Sequence, residues 1–246
     1  MYQFFVEPEQ IQGNRIIITG KDFNHIKNVL RMKVGEELNV KSGMDDNEYR
    51  CGILEFTEEE VICELYFIKE EATELPVRVY LFQGLPKSDK MELIIQKAVE
   101  LGAYEIIPMA TKRAIVKLDD KKAKTKIARW RGISEAAAKQ SKRAIIPNIT
   151  APKSFKEALE YCNAMDVKLI PYELAEGMEF TRNVIAGIEK NQSVAVFIGP
   201  EGGFAEEEIQ AAREAGMLPV TLGKRILRTE TAGMCVLAFL LYQLEE

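Results

Sequence analysis

The chain has 246 residues, of which 47% are hydrophobic and 29% charged, and its formal net charge is −5. This composition supports a buried core in one large or two modest domains, and it is unlike that of disordered or fibrous chains. No apolar run is long enough to span a bilayer, and the start MYQFFVEPEQ lacks the blocks of a secretory signal. The four cysteines form no CxxC pair, so we expect reduced thiols in a cytoplasmic protein.

Residues 1–73 have the pattern of a small β-rich domain. Short segments rich in β-branched and aromatic residues predict strands at 15–20, 36–43, 48–56 and 60–68. Between the first two, the segment DFNHIKNVLRMK spaces Phe23, Ile26, Val29 and Leu30 like the apolar face of a helix. We therefore predict a small barrel that ends at a polar connector near residue 73.

Residues 74–246 alternate between apolar runs and helical patterns. The runs at 77–82, 104–109, 167–172, 193–199 and 218–223 predict buried strands. Ser88 is expected to cap the helix after the first strand, and Gly102 is expected to end it. A basic helix from about Lys122 to Lys142 and an apolar helix from about Ala232 to Leu244 follow. This alternation predicts an α/β domain with a parallel sheet covered on both faces.

Positive charge is concentrated in residues 112–143, which hold 12 basic and 3 acidic side chains. Such a segment is typical of a phosphate-binding surface, although a solvated helix face has the same composition. Trp130 shares the apolar stripe of the helix and is expected in the core. Around His25, a second basic cluster favours either an RNA contact or a partly buried histidine. The predicted RNA contacts are His25, Arg31, Lys87, Lys90, Arg113, Arg129, Lys139 and Arg143.

The segment IGPEGGFAEEE, at 198–208, joins an apolar strand to a helix. Its glycines let the backbone approach a ligand, but the pattern is neither a dinucleotide fingerprint nor a phosphate-binding P-loop. Three glutamates in the first helical turn would repel a phosphate, so a neutral or cationic ligand fits better. A tight structural turn is the alternative interpretation.

The segment LGKRILRTETAG, at 222–233, places basic, hydroxyl and carboxylate groups at another strand–helix junction. Thr229 or Thr231 is expected to cap the last helix, and a capped helix with solvated basic flanks is the alternative to a binding loop. A third loop, IPYE at 170–173, also follows a strand, but its composition is common at strand ends. Ligands of open α/β sheets bind beyond the carboxyl ends of the strands, where all three loops lie.

The single histidine, His25, limits the chemistry that the chain can carry out. Zinc sites need several His or Cys ligands at close spacing, and none is present in the sequence. A Ser-His-Asp triad would have to use His25, and no nucleophile-elbow motif accompanies it. We therefore expect no metal site and no triad.

In their order along the chain, these segments resemble the bacterial 16S ribosomal RNA uridine N3-methyltransferases of the SPOUT superfamily. The resemblance runs through NHIKNVLRMKVGEEL, KSDKMELIIQKAVELGAYEIIP, RWRGISEAAAKQSKR, IGPEGGFAEEEI and LGKRILRTETAG. It implies a PUA-like RNA-binding β-barrel in residues 1–73 and a trefoil-knotted methyltransferase domain in residues 74–246. It also implies a homodimer that acts on 16S rRNA of the 30S subunit.

The resemblance further implies S-adenosylmethionine as the cofactor, held by the loops at 199–203 and 222–227. Glu230 is then a candidate base for the proton on uridine N3, and Arg228 could stabilise negative charge on the uracil oxygens. Gln3 stands where relatives often have Arg. Ala205 stands where a capping Ser would be natural. The expected cofactor contacts are Pro171, Gly199, Pro200, Glu201, Gly202, Gly203, Leu222, Gly223, Ile226, Leu227, Thr229 and Thr231.

Three other functions are compatible with parts of this pattern. The same fold could methylate another base or a ribose 2′-hydroxyl, or it could bind RNA without catalysis. Two ligand-type loops in one chain disfavour a pure binding module. A nucleotide-binding oxidoreductase is disfavoured because no dinucleotide fingerprint follows the strand at 77–82.

Overall fold

The structure, a computed structural model, describes residues 1–43, 45, 47–70, 73–116, 120–173, 175 and 177–245. The chain forms two units. Unit 1 contains Met1–Glu74 and Ala138–Ile146, and unit 2 contains Leu75–Ala137 and Pro147–Glu246. Residues 138–146 thus belong with the first unit, although the sequence pattern assigns them to the second domain. That the chain divides into two independently folding domains between residues 73 and 74 remains a prediction.

Unit 1 is built on a six-stranded sheet. The spatial order is β1-β4-β5-β6-β3-β2, and every pairing is antiparallel except that of β1 with β4. Phe4 on β1 and Ile16 and Ile18 on β3 share one core although their strands lie near opposite ends of this order. The sheet therefore curls around its core, as a PUA-like barrel requires. The strands are β1 (Gln3–Phe5), β2 (Ile11–Gln12), β3 (Arg15–Thr19), β4 (Glu37–Lys41), β5 (Asn47–Phe56) and β6 (Glu60–Glu70).

The helix of unit 1 changes its winding. Helix α1 (Gly20–Asn24) continues as one π-helical turn at His25–Val29. Ile26 is fully buried as its spacing predicts, but Val29 is 64% exposed. The wider turn rotates the residues after His25 relative to an α-helix, so Val29 leaves the predicted apolar face.

Unit 2 contains a seven-stranded sheet in which every pairing is parallel, as predicted. The order is β10-β8-β7-β12-β11-β13, and β9 pairs with β8. The rings of Phe82 and Phe197 stack at 4.3 Å between the central strands β7 and β12. The trefoil knot remains a prediction. The strands are β7 (Arg78–Gly84), β8 (Ala103–Ala110), β9 (Asn148–Ile149), β10 (Lys153–Ser154), β11 (Val167–Pro171), β12 (Ser193–Ile198) and β13 (Leu218–Val220).

Helices separate these strands, and two predicted caps are wrong. The residue directly before the second helix is Asp89 and not Ser88. Ser88 lies one position earlier and has a left-handed φ of 55°. The last helix begins at Thr229 after Arg228, and no side chain caps it. Gly102 follows the second helix with φ 87°, as predicted. The helices are α2 (Lys90–Glu100), α3 (Asp120–Ser141), α4 (Phe155–Tyr161), α5 (Met178–Ala186), α6 (Glu206–Glu214) and α7 (Thr229–Leu244).

Three general properties hold for the described residues. Trp130 is 2% exposed and lies in the core, as predicted. Within the described ranges, no helix has both the length and the apolarity needed to cross a membrane. In the same part of the chain, His, Cys, Asp and Glu side chains form no group of three or more that could hold a metal ion.

Candidate active site

A cavity of about 600 Å³ opens at the carboxyl ends of β11 and β12 in unit 2. Its walls come mainly from residues 171–173 at the end of β11, residues 198–204 and Glu206 at the end of β12, and residues 226–229 at the junction with α7. Parallel strands end at the same edge of a sheet, so loops that are distant in sequence meet there. The glycine loop, residues 199–203, thus faces the segment that carries Arg228 and Thr229.

A smaller cavity of about 240 Å³ adjoins the first one. It lies between residues 171–173 and residues 221–227, and Pro171, Ile226 and Leu227 border both cavities. All three loops singled out from the sequence therefore surround one continuous site.

The predicted cofactor residues line one or the other cavity, with one exception. Leu222 and Gly223 line the smaller cavity, and the others line the larger one or both. Thr231 is the exception, because it is exposed on α7 and borders neither cavity. Of the two predicted catalytic residues, Arg228 lines the larger cavity, whereas Glu230 lines neither. The sequence analysis did not assign Tyr172, Phe204 or Glu206 to the site, although the loop compositions around them were noted.

Glycine at two positions lets the loops approach closely. A Cβ atom on Gly84, at the end of β7, would lie 2.7 Å from the backbone nitrogen of Pro200. A Cβ atom on Gly202 would lie 3.2 Å from the Cβ atom of Arg113. Arg113 also donates from Nη1 to the Gly202 carbonyl at 3.1 Å. The glycine loop is therefore pressed against β7 on one side and against Arg113 on the other.

Thr229 joins three parts of the site. Its side chain is buried, and its hydroxyl donates to the Gly199 carbonyl at 2.6 Å. The same oxygen accepts a hydrogen bond from Nε2 of Gln83 at 2.8 Å, and Gln83 also donates to the Gly84 carbonyl at 3.0 Å. Thr229 thus ties the start of α7 to the glycine loop and to β7. Sequence reasoning missed Gln83, because a polar residue within an apolar strand gave no sign of its partner 146 positions away.

One lysine connects the two loops electrostatically. The ammonium of Lys90 lies 3.1 Å from Oε1 of Glu201 and 3.4 Å from Oε2 of Glu230. Both Glu201 oxygens also accept the backbone N–H of Lys87, at 3.2 and 3.3 Å. Lys90 was predicted to contact RNA, and the structure instead pairs it with these two carboxylates.

This pairing shifts two pKa values. The interaction with Glu201, and to a lesser extent the ion pair with Glu230, raises the pKa of Lys90 against the opposing effect of desolvation. Burial tends to raise the pKa of Glu201, but hydrogen bonds from backbone N–H groups and from Lys90 outweigh it, so that pKa is lowered. At neutral pH both groups therefore stay charged.

The cavity has charges of both signs on its walls. Glu173, Glu201 and Glu206 contribute carboxylates. Lys90, Arg113 and Arg228 contribute cations. Such a lining suits a ligand that itself carries both positive and negative groups.

The predicted RNA contacts of unit 2 lie at the surface. Lys87 and Arg113 are exposed. The side chain of Arg129 is 65% exposed and pairs with Glu92 at 2.7 Å. In unit 1, His25 and Arg31 are also exposed, and the His25 ring lies edge-on to that of Phe4 with centroids 6.2 Å apart.

Two other predicted RNA contacts are directed inward within unit 1. Lys139 donates to both carboxylate oxygens of Asp22, at 2.8 and 3.0 Å. Arg143 is only 3% exposed, and its guanidinium is hydrogen-bonded to Glu74. Arg143 therefore has a structural role, which corrects its assignment as a surface contact to RNA. Lys139 would have to leave Asp22 before it could bind a phosphate.

Comparison with known families and proteins identifies this architecture. Residues 73–241 match a family model described as RNA methyltransferase domain, and residues 18–66 match one described as RNA methyltransferase PUA domain. The ribosomal RNA small subunit methyltransferase E of Bacillus subtilis is 38% identical over 252 aligned residues, which cover 100% of this chain and 98% of that protein.

Solved structures agree with the family match. A methyltransferase from Legionella pneumophila with bound S-adenosylmethionine superposes with a TM-score of 0.84 at 31% identity, covering 97% of this chain and 96% of that one. The ribosomal RNA small subunit methyltransferase E of Neisseria gonorrhoeae, bound to S-adenosylmethionine, gives 0.84 at 30% identity and covers 97% and 95%. The chain therefore belongs to the ribosomal RNA small subunit methyltransferase E family.

Proposed function

We propose that this protein transfers the methyl group of S-adenosylmethionine to N3 of one uridine in the decoding region of 16S rRNA. The observation that carries the proposal is the cavity in which the glycine loop meets Arg228 and Thr229. Relatives that are 31% and 30% identical hold S-adenosylmethionine. We further propose that the protein acts in the cytoplasm, on the RNA of the 30S subunit.

The residues of the cavity fit S-adenosylmethionine. The volume of about 600 Å³ is within the usual range for small-molecule sites. Ile198, Phe204 and Leu227 offer apolar surface for a purine ring, and the lining charges of both signs suit an amino acid with a sulfonium. When bound, this cofactor supplies a methyl group activated by the positive sulfur.

The protein's own groups can prepare the nucleophile. Uridine N3 carries a proton that must leave before or during attack, and the proposed acceptor is Glu230, which follows the cavity-lining Thr229 in the first turn of α7. Arg228, at the cavity wall, can stabilise negative charge on the uracil oxygens. The uridine must be drawn out of its stack to reach these groups.

Helix α7 supports the proposed homodimer. It is apolar around most of its circumference, yet Met234, Cys235 and Ala238 are not buried, and Tyr242 is 87% exposed. A second copy of the chain could cover this face. In sedimentation, a wild-type particle of twice the chain mass of 27.8 kDa would support the dimer, provided that Tyr242→Lys sediments as a monomer. A monomeric wild type would contradict it.

The test of the activity is methylation of small subunits from cells that lack this protein. Nucleoside mass spectrometry should detect 3-methyluridine in 16S rRNA, and primer extension should stop at one site, because a methyl group on N3 blocks base pairing. A 2′-O-methylated or differently methylated nucleoside would favour the second candidate specificity. Cofactor binding without any transfer would contradict the enzymatic function.

Variants connect this activity to the site. Arg228→Ala and Glu230→Gln should each lower the rate of transfer by roughly a hundredfold or more. Arg213→Ala is the matched control for Arg228, because Arg213 is exposed in the last turn of α6 and does not line either cavity. Full turnover in either site variant would remove that residue from the proposed mechanism.

A further inference from the structure

Gln83 is a polar residue at a place where the fold favours an apolar one. It lies in β7 between Phe82 and Gly84, and its side chain is 0% exposed. Among the described residues, no group donates a hydrogen bond to its buried amide oxygen. A buried oxygen of this kind destabilises a fold, and leucine or methionine would fill the same space without that penalty. Conflicts of this kind are typical of functional sites, which directs attention to the amide nitrogen.

Two backbone carbonyls determine how the hydrogen atoms around this amide are arranged. Nε2 of Gln83 lies 3.0 Å from the Gly84 carbonyl oxygen and 2.8 Å from Oγ1 of Thr229. A carbonyl oxygen can only accept, so the amide nitrogen, and not the amide oxygen, must face Gly84. The second hydrogen on the same nitrogen is then donated to Thr229. Because Oγ1 of Thr229 accepts this hydrogen bond, its own hydrogen is left for the Gly199 carbonyl, 2.6 Å away.

The Gly199 carbonyl is the point at which this chain of hydrogen bonds reaches the cofactor site. Gly199 and Thr229 line the larger cavity, whereas Gln83 lines neither cavity. Gly199 begins the glycine loop, and the backbone of glycine has more conformational freedom than that of any other residue. Within the loop, the N–H of Gly203 donates to the Pro200 carbonyl at 2.9 Å. A fixed Gly199 carbonyl therefore holds the start of a turn that is closed by its own hydrogen bond.

We propose that Gln83 is a positioning residue for the binding of S-adenosylmethionine. Its amide fixes the direction of the Thr229 hydroxyl, and this hydroxyl holds the glycine loop in the conformation that receives the cofactor. A loop that is ordered in advance loses less conformational entropy on binding, so the affinity is higher. The inference rests on the part of the proposed function that places S-adenosylmethionine in this cavity.

The experiment compares Gln83→Met with wild type. Methionine has a similar length and volume, but it cannot donate a hydrogen bond to Thr229. Calorimetry should give a Kd for S-adenosylmethionine that is higher by roughly threefold to tenfold, the effect of one hydrogen bond. The Tm of the cofactor-free variant should stay within roughly 4 °C of wild type, because removal of the unpartnered oxygen offsets the lost hydrogen bonds. A variant that fails to fold, or that binds the cofactor as tightly as wild type, would overturn the inference.

Ser134→Ala is the matched control. Ser134 is also 0% exposed, and its hydroxyl donates to the Pro147 carbonyl at 2.7 Å, but it lines neither cavity. This substitution should lower Tm and leave the Kd for the cofactor within roughly twofold of wild type. If Ser134→Ala weakens cofactor binding as much as Gln83→Met does, loss of any buried hydrogen bond has this effect and Gln83 is not a positioning residue.

A double-mutant cycle shows whether Gln83 acts through Thr229. Thr229→Val removes the hydroxyl that connects the amide of Gln83 with the Gly199 carbonyl. If Gln83 acts through this hydroxyl, the variant with both substitutions should bind S-adenosylmethionine within roughly twofold of Thr229→Val alone. Two independent substitutions would instead multiply their effects on Kd, and that result would contradict the inference.

Hydrogen exchange of the cofactor-free protein needs neither cofactor nor RNA. Gln83→Met should speed exchange of the backbone N–H groups of residues 201–203 by roughly threefold to tenfold, whereas Ser134→Ala should leave them unchanged. Unchanged exchange in Gln83→Met would show that the loop does not depend on this amide, and the inference would be wrong. If the wild type itself does not bind S-adenosylmethionine, the proposed function fails, while the exchange rates still test the effect of Gln83 on the loop.

Discussion

In unit 1, the guanidinium of Arg143 is buried against Glu74, whose Oε1 also accepts the backbone N–H groups of Ala144 and Ile145. In unit 2, the ammonium of Lys90 lies between Glu201, which lines the larger cavity, and Glu230, which lines neither cavity and whose Oε2 has no hydrogen bond. Both clusters pair cations with anions, but only the second leaves an acceptor unsatisfied. Breaking a satisfied buried pair destabilises a fold, whereas an unsatisfied acceptor keeps the capacity to bind a further donor.

Arg143→Ala should have the largest effect on stability. It leaves Glu74 partly buried without its cation, and breaking such a pair costs about 3 kcal/mol. Urea denaturation should therefore show a marked loss of stability in the transition that reports on unit 1. Cofactor affinity should stay close to wild type, because Arg143 lines neither cavity of unit 2.

Lys142→Ala provides the control, because Lys142 is the exposed neighbour of Arg143. Its effect should be within about 0.5 kcal/mol. If Arg143→Ala is equally mild and weakens RNA binding instead, the contrast between the two clusters is wrong and Arg143 contacts RNA as the sequence suggested.

Much of the fold could be predicted from the sequence because its patterns are local. Short segments rich in β-branched and aromatic residues marked the strands of unit 1, and apolar runs marked the parallel strands of unit 2. Whether a charged side chain is buried or exposed is not a local property of the sequence. Arg143 and Glu74 are 69 positions apart, so a basic run in the sequence did not show which of its members lie inside.

The second prediction concerns the connection between the site loops. Thr229→Val keeps the shape of the side chain but leaves the Gly199 carbonyl and Nε2 of Gln83 without this partner. The cost should be about 2 kcal/mol, because both groups are deprived of a hydrogen bond in a largely buried place. Calorimetry should also show weaker S-adenosylmethionine binding, since the glycine loop loses its tie to α7.

Thr231→Val tests the same substitution on the same helix turn, at an exposed position outside both cavities. We expect little change in stability or cofactor affinity. A large loss of affinity in Thr231→Val would support the sequence-based assignment of Thr231 to the cofactor, and it would contradict the role that we give to Thr229.

The loops that form the site could be predicted from the sequence, but the side-chain contacts between them could not. Glycine next to a strand end, and hydroxyl and basic groups crowded before a helix, are visible in a single sequence. The pairing of Lys90 with Glu201 and Glu230 depends on three elements that meet only in the folded sheet. Sequence reasoning therefore found Lys90 but assigned it to RNA, because a lysine beside a helix start is typical of phosphate binding.

The smallest expected effect on stability belongs to Arg129→Ala. Arg129 is 65% exposed, and its pair with Glu92 contributes at most about 0.5 kcal/mol. If α3 faces the RNA, the variant should instead lower the slope of log affinity against log salt by about one, as loss of a single phosphate contact does. Filter binding of small-subunit RNA over a salt series measures this slope.

Lys156→Ala is the control, because Lys156 is 87% exposed on α4 and outside the basic segment. Equal slopes for wild type and both variants would remove Arg129 from the RNA surface.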